Sequence, residues 1–169
     1  MGMMGSGKTS VGRLLSERTG WPYLDNDDML QASAGHTARE LAELGEDELR
    51  RAEVQALAQA MAARPPVIIA AAAGVVLDPS VGKLLHDAFV VWLRASPGVL
   101  AERAAGAEHR PWLEADPESW LAEADAVRAP AYRALATIEV ATDRLSAAET
   151  VDVIGEALAA DERSGTIGS

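Results

Sequence analysis

The chain has 169 residues, a mass of 17.8 kDa and a formal charge of −11, with a pI near 4.6. A chain of this length can bury one sizeable core, and 49% hydrophobic with 24% charged residues is the balance of an ordinary globular protein. So acidic a surface repels nucleic acid and anionic lipid, which excludes both as expected partners. The absence of cysteine excludes disulfides and thiolate metal sites. With no signal-peptide pattern and no apolar run long enough to cross a bilayer, the sequence predicts a cytoplasmic location.

Helical periodicity alternates with short apolar runs along the chain, which predicts an α/β fold of three layers around a parallel sheet. The predicted helices are 8–19, 27–34, 37–44, 46–63, 79–86, 97–104, 117–127 and 146–160, and Pro130 is expected to interrupt the seventh and start another. The predicted strands are 22–25, 67–71, 88–93 and 137–141. These elements predict a single domain over residues 1–160, with an exposed loop at about 105–116 and a disordered tail over 161–169.

The segment from Gly2 to Thr9 reads Gly-Met-Met-Gly-Ser-Gly-Lys-Thr and matches the phosphate-loop motif G-x-x-x-x-G-K-S/T. In such a loop the backbone N–H groups and the following helix N-terminus attract phosphate, Lys8 adds a full positive charge, and Thr9 offers a hydroxyl to Mg²⁺. A glycine turn that binds nothing is the alternative, and the complete motif with a helix behind it argues against that. The predicted nucleotide-binding residues here are Gly5, Ser6, Gly7, Lys8, Thr9 and Ser10.

A buried strand normally precedes this motif, yet here the motif begins at residue 2. In this topology that strand lies in the middle of the sheet, so its loss would expose the edges of two others. The sequence therefore predicts that the true start lies upstream and that the first strand is missing from the chain as given.

Acidic residues end the predicted strand 22–25, at the sheet edge where α/β folds place their ligands. Asp25 could hold Mg²⁺ through water, and Asp27 could accept a proton from an attacking hydroxyl. The alternative is that these acids only cap the next helix. Two arginines from distant segments, Arg50 and Arg128, could clamp one carboxylate, although spacing alone does not show that they meet.

Five segments occur in an order and spacing typical of one enzyme family. They are the phosphate loop, the Asp25-x-Asp27 pair, Leu49-Arg50-Arg51-Ala52-Glu53, Arg110-Pro111-Trp112-Leu113 and Arg128-Ala129-Pro130-Ala131-Tyr132. From Gly2 to about Ala160 the chain resembles the shikimate kinases. Many kinases share the phosphate loop, but its combination with Arg-Pro-x-Leu and Arg-x-Pro-x-Tyr is considerably more specific.

The resemblance implies a P-loop NTPase fold like that of nucleoside-monophosphate kinases, with a five-stranded parallel sheet and a mobile lid. It also implies a transferase that uses ATP and Mg²⁺ to phosphorylate the 3-hydroxyl of shikimate in aromatic amino acid biosynthesis, acting as a monomer. Lys8, Asp27 and Arg110 would then be catalytic, and Thr9 and Asp25 would serve the metal. Arg103, Arg110 and Arg144 would contact the nucleotide. The implied substrate-binding residues are Asp27, Arg50, Ala73, Gly74 and Arg128.

One departure concerns the acceptor. The family carries Gly-Gly-Gly after the second of these strands, whereas this chain has Ala72-Ala73-Gly74. Two methyl groups would narrow the pocket, and alanine at a position that needs positive φ would cost more than about 1 kcal/mol. The alternatives are therefore a kinase for a related hydroxy acid, gluconate or a cyclitol, and a catalytically degenerate nucleotide-binding protein.

Overall fold

The computed structural model describes residues 1–105 and 116–164, so Arg110 and nearly all of the predicted lid lie outside the described residues. The helices of this part of the chain are α1 (Lys8–Thr19), α2 (Asn26–Ala34), α3 (Ala38–Leu44), α4 (Glu46–Met61), α5 (Val81–Leu84), α6 (Pro97–Ala104), α7 (Pro117–Leu135) and α8 (Ala147–Ser164). The strands are β1 (Tyr23–Asp25), β2 (Ile68–Ala70), β3 (Val91–Arg94) and β4 (Ile138–Ala141). The chain divides into two compact units, residues 9–88 and residues 1–8 with 89–169.

In the unit of residues 9–88, β1 and β2 pair in parallel, with Tyr23 opposite Ile68 and Asp25 opposite Ala70. The helices α2, α3 and α4 connect the two strands, as a parallel crossover requires. Their apolar faces form a small core built on three buried side chains, Leu30, Leu41 and Ala56. Because β1 runs directly into α2, the acidic residues at this junction lie at the carboxyl end of a strand.

In the unit of residues 1–8 and 89–169, β3 and β4 are also parallel, with Val91 opposite Ile138. The backbone of Met1 lies along β3: its nitrogen donates to Val91 O at 2.7 Å, and its carbonyl accepts from Leu93 N at 2.9 Å. The core of this unit contains the fully buried ring of Trp92, stacked on that of Tyr132 with 5.5 Å between centroids. Parallel pairing in both units confirms the predicted α/β class.

Several local predictions are confirmed. The helices α1 and α6 have the predicted bounds. At the start of α3, Thr37 and Glu40 form a reciprocal capping box. The predicted helix 79–86 is shorter in the structure, where α5 has only four residues. A 3₁₀ turn at Val75–Leu77 precedes it. The intervening Asp78 accepts a hydrogen bond from Ser80 N at 2.8 Å, and this local turn competes with helix at that point.

Two helices run further than predicted. The expected interruption at Pro130 is wrong, because α7 continues through it to Leu135. Leu121 and Tyr132 are both fully buried on either side of the proline, so packing of the whole helix outweighs the local cost of about 3 kcal/mol. The closing helix α8 extends to Ser164, four residues past its predicted end, and 165–169 lie outside the described residues. No helix in the described ranges is both long and apolar enough to span a membrane.

Candidate active site

The phosphate loop, residues 2–8, connects Met1 to α1 and has a shape that depends on glycine. Gly5 has φ 78° and Gly7 has φ 96°, in the left-handed region, and Ser6 N donates to Met3 O at 3.1 Å to close a turn. A Cβ on Gly5 would come within 2.7 Å of Leu100 O, so a larger residue would push the loop away from α6. The glycines therefore permit the tight winding that the motif predicts.

The side chain of Lys8 folds back over this loop. Its Nζ donates to Gly2 O at 3.0 Å and to Met3 O at 3.1 Å, so the ammonium group is held above the turn by backbone carbonyls. Ser6 Oγ is buried and has no hydrogen-bond partner among the described residues, and the first turn of α1 contains no acidic side chain. Basic charge, an unpaired hydroxyl and a helix N-terminus together fit a phosphate group.

A second cluster, formed by Thr9, Tyr23 and Asp25, lies in the other unit. Asp25 Oδ2 accepts a hydrogen bond from Thr9 Oγ1 at 3.2 Å and another from the Tyr23 hydroxyl at 2.6 Å. The other oxygen of Asp25, Oδ1, accepts from Asp27 N at 3.1 Å and caps α2. The capping alternative therefore holds for one oxygen of Asp25, while the other is paired with the predicted metal ligand Thr9.

The side chains of this small cluster present only oxygen atoms, the ligand type that Mg²⁺ prefers. Residues 1–105 and 116–164 contain no group of three or more histidine or acidic side chains able to enclose a metal ion. Such a donor set fits Mg²⁺, which commonly takes one or two protein ligands and completes its shell with water and substrate phosphates. Asp27 lies beside the cluster in the first turn of α2, with an exposed side chain.

The predicted acceptor residues Arg50 and Gly74 contact each other. Arg50 Nη1 donates to Gly74 O at 2.7 Å, and a Cβ on Gly74 would come within 2.8 Å of Glu53 Oε2. Within residues 1–105 and 116–164, glycines are the only residues with positive φ, and Gly74 itself has φ −83°. The backbone strain expected for Ala72 and Ala73 is therefore absent, whereas a side chain at position 74 would require the Glu53 carboxylate to shift.

Two further predicted arginines contact the phosphate loop or its support. Arg128 Nη1 lies 3.6 Å from Met3 Sδ. Arg103 donates to Thr142 Oγ1 at 3.2 Å and to Thr142 O at 2.7 Å. The Thr142 hydroxyl has two carbonyl acceptors within reach, Arg94 O at 3.2 Å and Ser6 O of the phosphate loop at 3.4 Å. Arg144 is exposed two residues beyond Thr142, and Ser10 is exposed in the first turn of α1.

Tyr23, Glu53 and Thr142 belong to these clusters but carry no role in the sequence-based prediction. A signal existed for two of them. Tyr23 and Asp25 are two apart on a strand and so point to the same face, and Glu53 is three residues from Arg50 on one helix. Thr142 has no such local signal, because its partners lie far away in sequence.

Comparison with known proteins gives one family. The model of the family described as shikimate kinase matches residues 4–159. The chain belongs to the shikimate kinase family. A shikimate kinase of Symbiobacterium thermophilum is 40% identical over 162 residues, covering 94% of this chain and 93% of the relative.

Solved structures agree with this family assignment. A shikimate kinase from Acinetobacter baumannii in complex with shikimate superposes with a TM-score of 0.86 at 26% identity, covering 95% of this chain and 90% of that one. A gluconokinase from Sinorhizobium meliloti superposes with a TM-score of 0.59 at 28% identity, over 96% of this chain and 89% of that one. The fold is thus that of the P-loop shikimate kinases, and the gluconokinase resembles it less well.

Proposed function

We propose that this member of the shikimate kinase family transfers the γ-phosphate of ATP to the 3-hydroxyl of shikimate, forming 3-phosphoshikimate and ADP. The observation that carries the proposal is the phosphate loop with Lys8 bound over its turn, in a chain whose family match spans residues 4–159. In the reaction a P–O bond forms to the acceptor oxygen, and the bond from the γ-phosphorus to the bridging oxygen of ADP breaks.

On the nucleotide side, the loop amides and Lys8 bind phosphate oxygens and stabilise the charge that spreads over them in the transition state. Lys8 reaches them by exchanging the carbonyls of Gly2 and Met3 for phosphate oxygens. Mg²⁺, when bound, neutralises charge on the β- and γ-phosphates, and Thr9 with Asp25 would hold it. We assign Arg103, Arg144 and Arg110 to nucleotide contacts, with Arg110 acting from the lid.

On the acceptor side, the Asp27 carboxylate accepts the proton of the attacking hydroxyl. Its exposure at the start of α2 leaves it accessible to a substrate. Arg50 and Arg128 bind the substrate carboxylate, because a guanidinium matches a carboxylate in shape as well as in charge. Ala73 and Gly74 complete the acceptor pocket, and the contact between Arg50 and Gly74 O supports placing them together.

The main rival is a kinase for gluconate or a cyclitol. Shikimate is favoured over gluconate by the better superposition on a shikimate kinase than on a gluconokinase, with TM-scores of 0.86 and 0.59. A degenerate nucleotide-binding protein is disfavoured because Ala72 and Ala73, the residues that suggested degeneracy, cause no backbone strain.

A substrate panel tests the proposal. Release of ADP should accompany turnover of shikimate and far exceed that with quinate, gluconate or cyclitols, with 3-phosphoshikimate identified by ³¹P NMR. Lys8→Ala should abolish turnover because the phosphate charge then loses its cation. The chain's other lysine, Lys83, is exposed on α5 and provides the matched control Lys83→Ala, which should remain active. Preference for gluconate, or full activity of Lys8→Ala, would contradict the proposal.

The same assay tests the base. Asp27→Asn should lower kcat by about 10²–10⁴-fold if Asp27 accepts the proton. Asp28→Asn, at the next and equally exposed position of α2, is the control and should change kcat little. A loss of shikimate affinity alone in Asp27→Asn would reduce Asp27 to a binding group.

The proposal includes a monomer in the cytoplasm. The cysteine-free sequence suits a reducing compartment, and ATP is abundant there. Sedimentation velocity on the purified chain tests the monomer, and fractionation of expressing cells tests the location.

A further inference from the structure

Tyr23 has a role that the family motifs do not assign. It lies on β1 two residues before Asp25, so the two side chains share one face of the strand. The Tyr23 hydroxyl donates to Asp25 Oδ2 at 2.6 Å, the same oxygen that accepts from Thr9 Oγ1 at 3.2 Å. A hydroxyl therefore supports the carboxylate oxygen that faces the proposed metal ligand.

The ring of Tyr23 packs against α1 at Gly12. A Cβ at Gly12 would overlap the edge of the ring, so glycine at this position admits the aromatic side chain. The ring packs against the same helix that carries Thr9, which directs its hydroxyl to the cluster.

Asp25 is thereby bound by three donors: the Asp27 amide at Oδ1, and the two hydroxyls at Oδ2. The hydrogen bond from the Asp27 N–H fixes Oδ1 but by itself leaves the carboxylate plane free to rotate about that oxygen. The hydrogen bonds to Oδ2 restrict that rotation, and the bond from Tyr23, at 2.6 Å, is shorter than the bond from Thr9, at 3.2 Å. With its proton given to Oδ2, the Thr9 hydroxyl keeps its lone pairs for a cation.

We propose that Tyr23 is a positioning residue for magnesium, whose hydroxyl holds Asp25 Oδ2 toward Thr9. This inference rests on the proposed function, because it takes Thr9 and Asp25 as the residues that serve the metal. Groups behind metal-binding side chains commonly change metal affinity by about 10–100-fold when removed. Tyr23 acts through Asp25, so its effect should appear in the dependence on Mg²⁺ and not in the binding of metal-free nucleotide.

Calorimetric titration of ADP with the full chain tests this proposal. Tyr23→Phe keeps the ring against Gly12 and removes only the hydroxyl. Its affinity for ADP in EDTA should stay within about twofold of the wild type, while the Mg²⁺ concentration that half-saturates the enhancement of ADP binding should rise about tenfold. Ser33→Ala is the matched control, because it removes a hydroxyl that bonds Leu30 O in the same unit, and it should change neither quantity.

Two outcomes overturn the role of Tyr23 while the proposed function stands. One is an unchanged Mg²⁺ dependence in Tyr23→Phe, which would reduce Tyr23 to packing. The other is an equal loss of ADP affinity with and without Mg²⁺, accompanied by a lower urea midpoint, which would indicate general damage. A wild-type chain that binds no ADP would instead overturn the proposed function and this inference with it.

Discussion

The loop after β2 shows how the effect of an added methyl group depends on its position. Ala72 is buried, and neither it nor Ala73 needs a backbone conformation that disfavours alanine. At Gly74 an added Cβ would lie 2.8 Å from Glu53 Oε2 and 3.4 Å from Arg50 Nη1. Glycine therefore stands at position 74, where the Arg50 and Glu53 side chains approach the backbone closely.

Exchanges at positions 73 and 74 should differ in their effect on shikimate binding. Gly74→Ala should displace the Glu53 and Arg50 side chains, raising KM for shikimate at least several-fold and lowering the free energy of unfolding by about 1–3 kcal/mol. Ala73→Gly is the control: it should lower the free energy of unfolding by no more than about 1 kcal/mol, through chain entropy alone, and leave KM nearly unchanged. Urea unfolding and steady-state kinetics measure both, and normal shikimate binding by Gly74→Ala would contradict the packing argument.

For single residues, the sequence predicts which residue types form the site better than it predicts their contacts. The complete motif predicts Lys8 and Thr9, because phosphate chemistry restricts those positions closely. It does not predict that Lys8 rests on two loop carbonyls, or that Arg103 reaches the loop through Thr142, because these contacts depend on long-range packing. The joint action of Arg50 and Arg128 stays a prediction.

Among the elements, α7 shows where local rules fail. Its single 19-residue span contains Pro130, which lacks an N–H to donate and crowds the preceding turn. Other features of the helix ends, such as the capping box of α3 and the left-handed glycine that follows α1, act within a few residues of those ends. The proline rule is equally local, but burial of Leu121 and Tyr132 along the same helix overrides it.

Removing this proline should stabilise the fold. Pro130→Ala restores a donor to the helix and should raise the free energy of unfolding by about 1–3 kcal/mol. The control is Pro117→Ala in the same helix, at its first position, where a missing N–H costs nothing and little change is expected. Chemical denaturation compares the two variants. A Pro130→Ala variant less stable than the wild type would show that the helix has adapted its packing to the proline.

Over the whole molecule, acidic side chains have two opposing effects on how stability depends on pH. The formal charge of −11 produces repulsion that weakens as pH falls toward the pI. Five carboxylates of the described ranges instead have pKa values held below their usual range, because each accepts hydrogen bonds from a nearby serine or threonine; they are Glu40, Asp78, Asp116, Asp143 and Glu149. A carboxylate with a depressed pKa in the folded state stabilises the fold at higher pH and loses that contribution once it is protonated.

Thermal unfolding as a function of pH should therefore show a maximum. The melting temperature should be highest near about pH 5 and fall below about pH 4, as the hydrogen-bonded carboxylates become protonated through their lowered pKa values. Ser146→Ala removes the hydroxyl partner of Glu149, so its difference from the wild type should be present at pH 7 and shrink in acid. Ser33→Ala, whose hydroxyl bonds a carbonyl, should show no such pH dependence. A melting temperature that kept rising below pH 4 would contradict this assignment.

The internal bracing of the phosphate loop has a consequence for the speed of binding. Lys8 Nζ donates to two carbonyls of the loop, those of Gly2 and Met3. Thr142, which is hydrogen-bonded by Arg103, contacts the loop at Ser6 O. The loop therefore reaches its working shape during folding, and an incoming triphosphate has little left to order. Nucleotide capture should accordingly be limited by diffusion and by the exchange of one ammonium group between oxygen partners, without a slow rearrangement of the backbone.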